Sequence, residues 1–183
     1  MRLQDIVLPT KSGVYCSLGG FHIDPTRPVD KAVITHGHRD HARAGHGAVL
    51  ATQETLDIMR LRLGADFVGS AQAMGYGESV KVGRASVSLH PAGHVLGSAQ
   101  IAIEANGLRI VASGDYKNFA DPTCTPFQRL PCDVFIRHSC GNGRLGNLGH
   151  PWAGRCPGTL EHGAGALRPA IGHCGLRRGG RGR

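Results

Sequence analysis

The run Thr35-His36-Gly37-His38-Arg39-Asp40-His41 constrains this chain more than any other feature, because it sets three imidazoles and one carboxylate within six residues. Few tasks other than holding metal ions call for that density of ligand side chains. The run follows Lys31-Ala32-Val33-Ile34, which reads as a short buried strand, and precedes Ala42-Arg43-Ala44, which reads as a helix start. A strand-to-helix loop carrying the ligands is therefore expected. In an extended loop, side chains two apart point the same way, so His36 and His38 can reach one ion together. Gly37 between them adds no side chain to obstruct that approach. Asp40 and His41 face a different point, a few ångströms away, which suits a second ion. Imidazole and carboxylate without thiolate favour zinc, with manganese or iron as alternatives. The competing reading is a histidine-rich surface loop in a chain that holds 11 His.

Further along, short apolar runs joined by glycine turns read as strands: Ile6-Val7-Leu8, Val14-Tyr15-Cys16 and Phe21-His22-Ile23. Ala48-Val49-Leu50 reads as another strand. Thr52 is placed to cap a helix that Gly64 ends, with Leu56, Met59 and Leu63 as its apolar stripe. From Ser79 the period becomes two, through Val80, Val82, Ala85, Val87 and Leu89, then Ile101 and Ile103. Asn106-Gly107 before Leu108, Ile110 and Ala112 signals a hairpin. Asp133-Val134-Phe135-Ile136 reads as one more buried strand. Strands outnumber helices, so the fold class is α/β, half of a sandwich rather than a doubly wound sheet.

Composition divides the chain. Residues 1–136 hold 13 Lys+Arg against 12 Asp+Glu, whereas residues 137–183 hold eight Arg against one acid, Glu161. The formal charge of +8 therefore belongs to the last quarter, which also carries 13 Gly and no sustained apolar period. Residues 1–136 read as the folded domain and 137–183 as a basic, disordered tail foreign to it, of the kind a change of reading frame produces. The tail's Arg-Gly content admits phosphate binding. Cys156, His162, His173 and Cys174 fit no strong zinc template. The scattered cysteines, Cys16, Cys124, Cys132 and Cys140 among them, read as plain thiols. No apolar run is long enough to span a membrane, and the N-terminal stretch lacks the pattern of a signal peptide, so a cytoplasmic location is expected.

Two further stations carry candidate ligands: His94, in His90-Pro91-Ala92-Gly93-His94-Val95-Leu96-Gly97-Ser98-Ala99-Gln100, and Asp115, in Ser113-Gly114-Asp115-Tyr116. Each taken singly reads as a turn. In order behind the histidine-rich run, the three stations resemble the metallo-β-lactamase fold and its nucleic-acid-processing branch, the β-CASP-like nucleases. Within that branch the ligase-associated DNA exonucleases, or mRNA 3′-end processing factor-like proteins, are the most similar. The likeness extends through Phe21-His22-Ile23-Asp24-Pro25, Asp121-Pro122-Thr123-Cys124-Thr125-Pro126 and Pro131-Cys132-Asp133-Val134-Phe135-Ile136, and covers about residues 5–136.

The resemblance implies an αββα sandwich of which this chain holds the N-terminal part. It implies two zinc ions. His36, His38 and His94 would bind the first, Asp40 and His41 the second, and Asp115 would bridge them. Asp24 would steady the ligand loop from behind. The activity implied is two-metal hydrolysis of phosphodiesters at DNA ends, or RNA ends, beside a DNA ligase and a helicase. The sequence also departs from the family. Arg137-His138 stand where the family carries an acid for proton transfer. The β-CASP region, the last histidine of the second zinc and the second sheet of the sandwich are not recognisable. The inner face of the first sheet is accordingly expected to be uncovered. An inactive fragment, or a hydrolase of small thioesters or lactams, remain the alternatives.

Overall fold

Alternation of apolar and polar residues sets the strands, and short glycine turns set their order. The computed structural model describes residues 6–138 and the strand backbones of Gly158–Gly163 and Ala166–Pro169. The first sheet contains β1 (Val7–Thr10), β2 (Gly13–Cys16), β3 (Phe21–Ile23), β4 (Lys31–Val33), β5 (His46–Ala51) and β6 (Val68–Ala73), in that order. Its first three strands pair antiparallel, and β3 to β6 run parallel. The second sheet contains β7 (Ser79–Val82), β8 (Ala85–Pro91), β9 (Ala99–Ala105), β10 (Leu108–Ala112) and β11 (Val134–His138). It is antiparallel up to β10, and β11 then pairs parallel with β10. β12 (Gly158–Gly163) continues it parallel to β11, and β13 (Ala166–Pro169) closes it antiparallel. Apart from these strand backbones, the stretch expected to be a disordered tail lies outside the described residues.

The main core lies between the sheets. Phe21, Ile23, Val33 and Leu50 of the first meet Val87, Leu89, Ile101, Ile103 and Ile110 of the second. This corrects the expectation that the second sheet lies beyond the chain. The alternating segments over 79–112 are that sheet, and their apolar face covers the first one. On the far side of the first sheet, α1 (Gln53–Leu63) buries Leu56 and Met59 against Ala32, Ile34, Val49 and Ala51. Its caps match the sequence reading. The Thr52 hydroxyl accepts from Thr55 N at 3.3 Å, and Gly64 N donates to Arg60 O at 3.0 Å. Asn106 and Gly107, at φ 52° and 77°, make the two-residue turn between β9 and β10.

One local expectation fails. No helix begins at Ala42. A single turn, closed by Ala42 N donating to His38 O at 2.8 Å, returns the chain to β5 through Gly45 at φ 88°. β6 escapes sequence reading because Gly69 to Ala73 are exposed at a sheet edge, where no buried face imposes a period.

Helix α1 also fixes the loop between β8 and β9. Thr52 and Thr55 both donate their hydroxyls to Gly97 O, at 2.7 and 3.0 Å. Gly97 has φ 74°, and a Cβ there would lie 2.7 Å from Glu54 Cβ and 2.9 Å from Thr55 N. Gly97→Ala should therefore destabilise the fold by about 2–4 kcal/mol, combining left-handed strain with overpacking. A denaturant titration would show it as a lowered midpoint with an unchanged slope.

Candidate metal centre

Three chain segments meet at one end of the sandwich: the loop after β4, the β8–β9 loop and the residues following β10. Backbone bonds lock them together, with Ala99 N, where the β8–β9 loop enters β9, donating to Thr35 O at 2.8 Å and Lys117 N, after β10, donating to Ala92 O at 3.1 Å. The loop after β4 lies close on α1. A Cβ at Gly37 would fall 2.5 Å from Ile58 Cγ2, and the Arg62 guanidinium donates to Gly37 O. Gly37 thus serves contact with the helix, a role its position between two histidines does not announce.

His36, His38, His94 and Asp115 each offer one ligand atom, and the four atoms lie within 4.8 Å of one another. His36 Nε2 is 3.0 Å from His38 Nδ1, which is 3.3 Å from His94 Nε2, which is 3.6 Å from Asp115 Oδ2. Ligands at about 2.0–2.2 Å from a tetrahedral ion are held roughly 3.3–3.6 Å apart. The spacing and the donor set therefore fit a single cation of zinc size. Beside them, His41 Nε2 lies 3.6 Å from Asp40 Oδ2 and 3.8 Å from Asp115 Oδ2. Asp115 Oδ2 is common to both groups. The structure so brings together every ligand candidate read from the sequence, and Asp24 stands behind them at the end of β3.

Asp24 settles the imidazole orientations. Its carboxylate accepts from Thr35 N at 2.8 Å, from the Thr35 hydroxyl at 2.6 Å and from His41 Nδ1 at 2.7 Å. A carboxylate only accepts, so the single Thr35 hydroxyl proton points to Asp24. The 3.0 Å contact between Thr35 Oγ1 and His36 Nδ1 must then carry the histidine's proton. Both His36 and His41 are thereby turned with Nε2 toward the cluster. Thr35 opens the histidine-rich run with no role that its identity announces; its hydroxyl transmits Asp24 to His36. Gly114 gives it room, since a Cβ there would lie 2.4 Å from Thr35 Oγ1. Ser98 is a second residue that sequence reasoning missed. Its hydroxyl oxygen accepts from His94 N at 3.0 Å and Val95 N at 3.1 Å, shaping the His94 turn.

The electrostatics favour positive charge at this point. Burial opposes charge on His41, but Asp24, by proximity and hydrogen bonding, together with Asp115 and Asp40, outweighs it and raises the pKa to about 9. Burial, and after it the neighbouring His41, lowers His36, while Asp24 opposes. Burial is also the main cause lowering His94, against the pull of Asp115. Burial alone would raise the Asp24 carboxyl, but His41, then His36 and Thr35, hold it below its ordinary value. Neutral imidazoles and ionised carboxylates are the forms that ligate metal. Thr35→Val should weaken zinc affinity about tenfold or more by freeing the His36 ring, and Thr35→Ser should restore it. Competition titration against a chromogenic chelator reads both.

The four residues considered for a separate zinc, Cys156, His162, His173 and Cys174, have side chains outside the described residues, as does Cys140. Cys16 and Cys124 are free thiols. Among the described residues no helix is long and apolar enough to cross a membrane.

No family model matches the chain. It is 32% identical to a probable DNA ligase of Opitutus terrae, over 64% of this chain and 12% of that protein. It is 30% identical to ribonuclease TTHA0252 of Thermus thermophilus, over 60% of this chain and 32% of that one. The chain thus spans a third or less of the curated relatives it matches. In structure it resembles the E377D mutant of CmlA β-hydroxylase, with a TM-score of 0.52, 19% identity, and coverage of 75% of this chain and 36% of the other.

Proposed function

We propose that this chain, which belongs to the β-CASP-like nucleases of the metallo-β-lactamase fold, hydrolyses phosphodiester bonds in nucleic acid at the cluster of His36, His38, His94 and Asp115. The observation that carries this reading is the convergence, from three separate segments, of four donors at single-ion spacing, with Asp115 reaching toward a second group. Zinc is the ion proposed, since the donors are imidazole and carboxylate without thiolate. His36, His38 and His94 would hold the first ion and Asp40 and His41 the second, with Asp115 between them. Metal bound there supplies Lewis-acid polarisation of the phosphoryl group and a nucleophile ionised near neutral pH.

The chain's own residues supply orientation. Asp24 fixes the His41 ring directly and the His36 ring through Thr35. Asp40 has a side chain 57% exposed and so faces the side from which a polymer end can approach. Arg137 and His138 on β11 stand where the resemblance places an acid, and β11 holds no carboxylic acid to protonate the leaving oxygen. Slow turnover is proposed on that ground. A DNA end is the preferred substrate over RNA. The relative named as a probable DNA ligase contains a stretch like this one, which supports work beside strand joining, with a helicase as a further partner.

The test is release of nucleotides from end-labelled DNA and RNA, single- and double-stranded, by the zinc-supplemented chain. Shortening of DNA faster than of RNA is the expected result. No release from any of the four, by folded and metal-loaded protein, would refute the reading.

A further inference from the structure

Two of the loops that carry the candidate ligands also carry apolar surface. Leu61, Leu96 and Phe119 are the exposed large hydrophobic residues among those described. Leu61 lies on α1. Leu96 follows His94 by two residues in the β8–β9 loop and is 53% exposed; Phe119 follows Asp115 by four and is 59% exposed. Single exposed hydrophobics are ordinary. Two in the two loops that carry His94 and Asp115 are less so, and those loops touch. Lys117 N donates to Ala92 O at 3.1 Å, and a Cβ at Gly93 would lie 2.4 Å from Lys117 O.

The Phe119 loop is held in shape. Asp121 pairs with the Lys117 ammonium and accepts from Thr123 N at 2.9 Å and the Thr123 hydroxyl at 2.6 Å. Behind it, the Tyr116 ring packs against Phe127 at 5.3 Å and Phe135 at 5.9 Å. Tyr116 is thus used inward, whereas Phe119 presents its ring outward. Lys117 Nζ lies 5.7 Å from the Phe119 ring centre, so a cation accompanies the exposed aromatic face. An aromatic ring beside a cation next to a phosphodiesterase centre matches one ligand chemistry, a base attached to a phosphate.

We infer that Phe119 is a stacking platform for a nucleobase at the end of a single strand, with Lys117 beside its phosphate and Leu96 in the adjoining loop. This deepens the reading of the centre as a nuclease site and rests on it. The platform would select unpaired ends, because a base within a duplex has no free face to offer.

The experiment measures binding and cleavage separately. The full chain with zinc is titrated, by fluorescence anisotropy, into a single-stranded phosphorothioate oligodeoxynucleotide and into the same strand with abasic sugars at its last two positions. Wild type should bind the base-bearing end about tenfold more tightly. Phe119→Ala should lose that preference with its melting temperature unchanged, and Phe119→Trp should keep it. Equal affinity of wild type for both strands, or full preference retained in Phe119→Ala, would overturn the platform. Cleavage of an ordinary oligonucleotide is followed in parallel. A base preference without cleavage supports the platform and removes the catalytic reading; cleavage without base preference does the reverse.

Discussion

Asp115→Asn should reduce phosphodiester cleavage by roughly a thousandfold or more, the scale on which metal centres contribute to hydrolysis. The substitution keeps the size of the side chain and removes its charge. Asp115 Oδ2 lies 3.6 Å from His94 Nε2 and 3.8 Å from His41 Nε2, so both halves of the centre face the same oxygen. An amide there offers a neutral oxygen or an amino group, and the charge that would balance the proposed pair of ions is lost. Bound zinc should fall below that of wild type in elemental analysis, while the denaturation midpoint of the metal-free protein moves little. Full activity in this variant would mean that Asp115 only packs the loop.

The second large effect belongs to a residue that touches no ion. Asp24→Ala strands three donors: Thr35 N, the Thr35 hydroxyl and His41 Nδ1. Leaving buried donors unpaired costs about 1–3 kcal/mol each, so a loss of roughly 3–5 kcal/mol in folding stability is expected, together with a ten- to hundredfold fall in zinc affinity. Asp24→Asn separates the two effects. Asn tolerates the left-handed backbone at φ 43° and keeps one accepting oxygen, so it should recover much of the stability. Its NH2 group must face either Thr35 N or the pair formed by the Thr35 hydroxyl and His41 Nδ1, all of them donors, so metal affinity should stay low. Paired denaturation curves and zinc titrations of the two variants give the comparison.

The candidate donors were legible in the sequence because they depend on residue type at short spacing. The His36 to His41 run announces its donors whatever surrounds it. Helix α1 was legible because Thr52 and Gly64 mark its ends, and the β9–β10 hairpin because Asn106-Gly107 needs two left-handed residues. What escaped depends on partners distant in sequence. The second sheet was hidden because its strands, read singly, do not say which face they cover; Val87 and Ile101 acquire meaning only against Phe21 and Val33. The turn at Ala42 was misread as a helix because local propensity gives no sign that β5 must start at His46 to pair with β4 and β6. Gly37, Thr35 and Ser98 are small residues whose roles are contacts, with Ile58, with Asp24 and His36, and with the His94 turn respectively. Nothing in their identity reveals those contacts.

If the cluster holds metal and that metal cuts nucleic acid, cleavage must follow the metal. The full chain is treated with chelator and zinc is returned stepwise while cleavage of an end-labelled oligodeoxynucleotide is followed. The expected result is no cleavage without metal and a rate that rises to a plateau as zinc occupies the site, with manganese as a second donor-compatible ion. Cleavage that persists at full rate in excess chelator, or a folded, zinc-loaded chain that cleaves nothing, would contradict it.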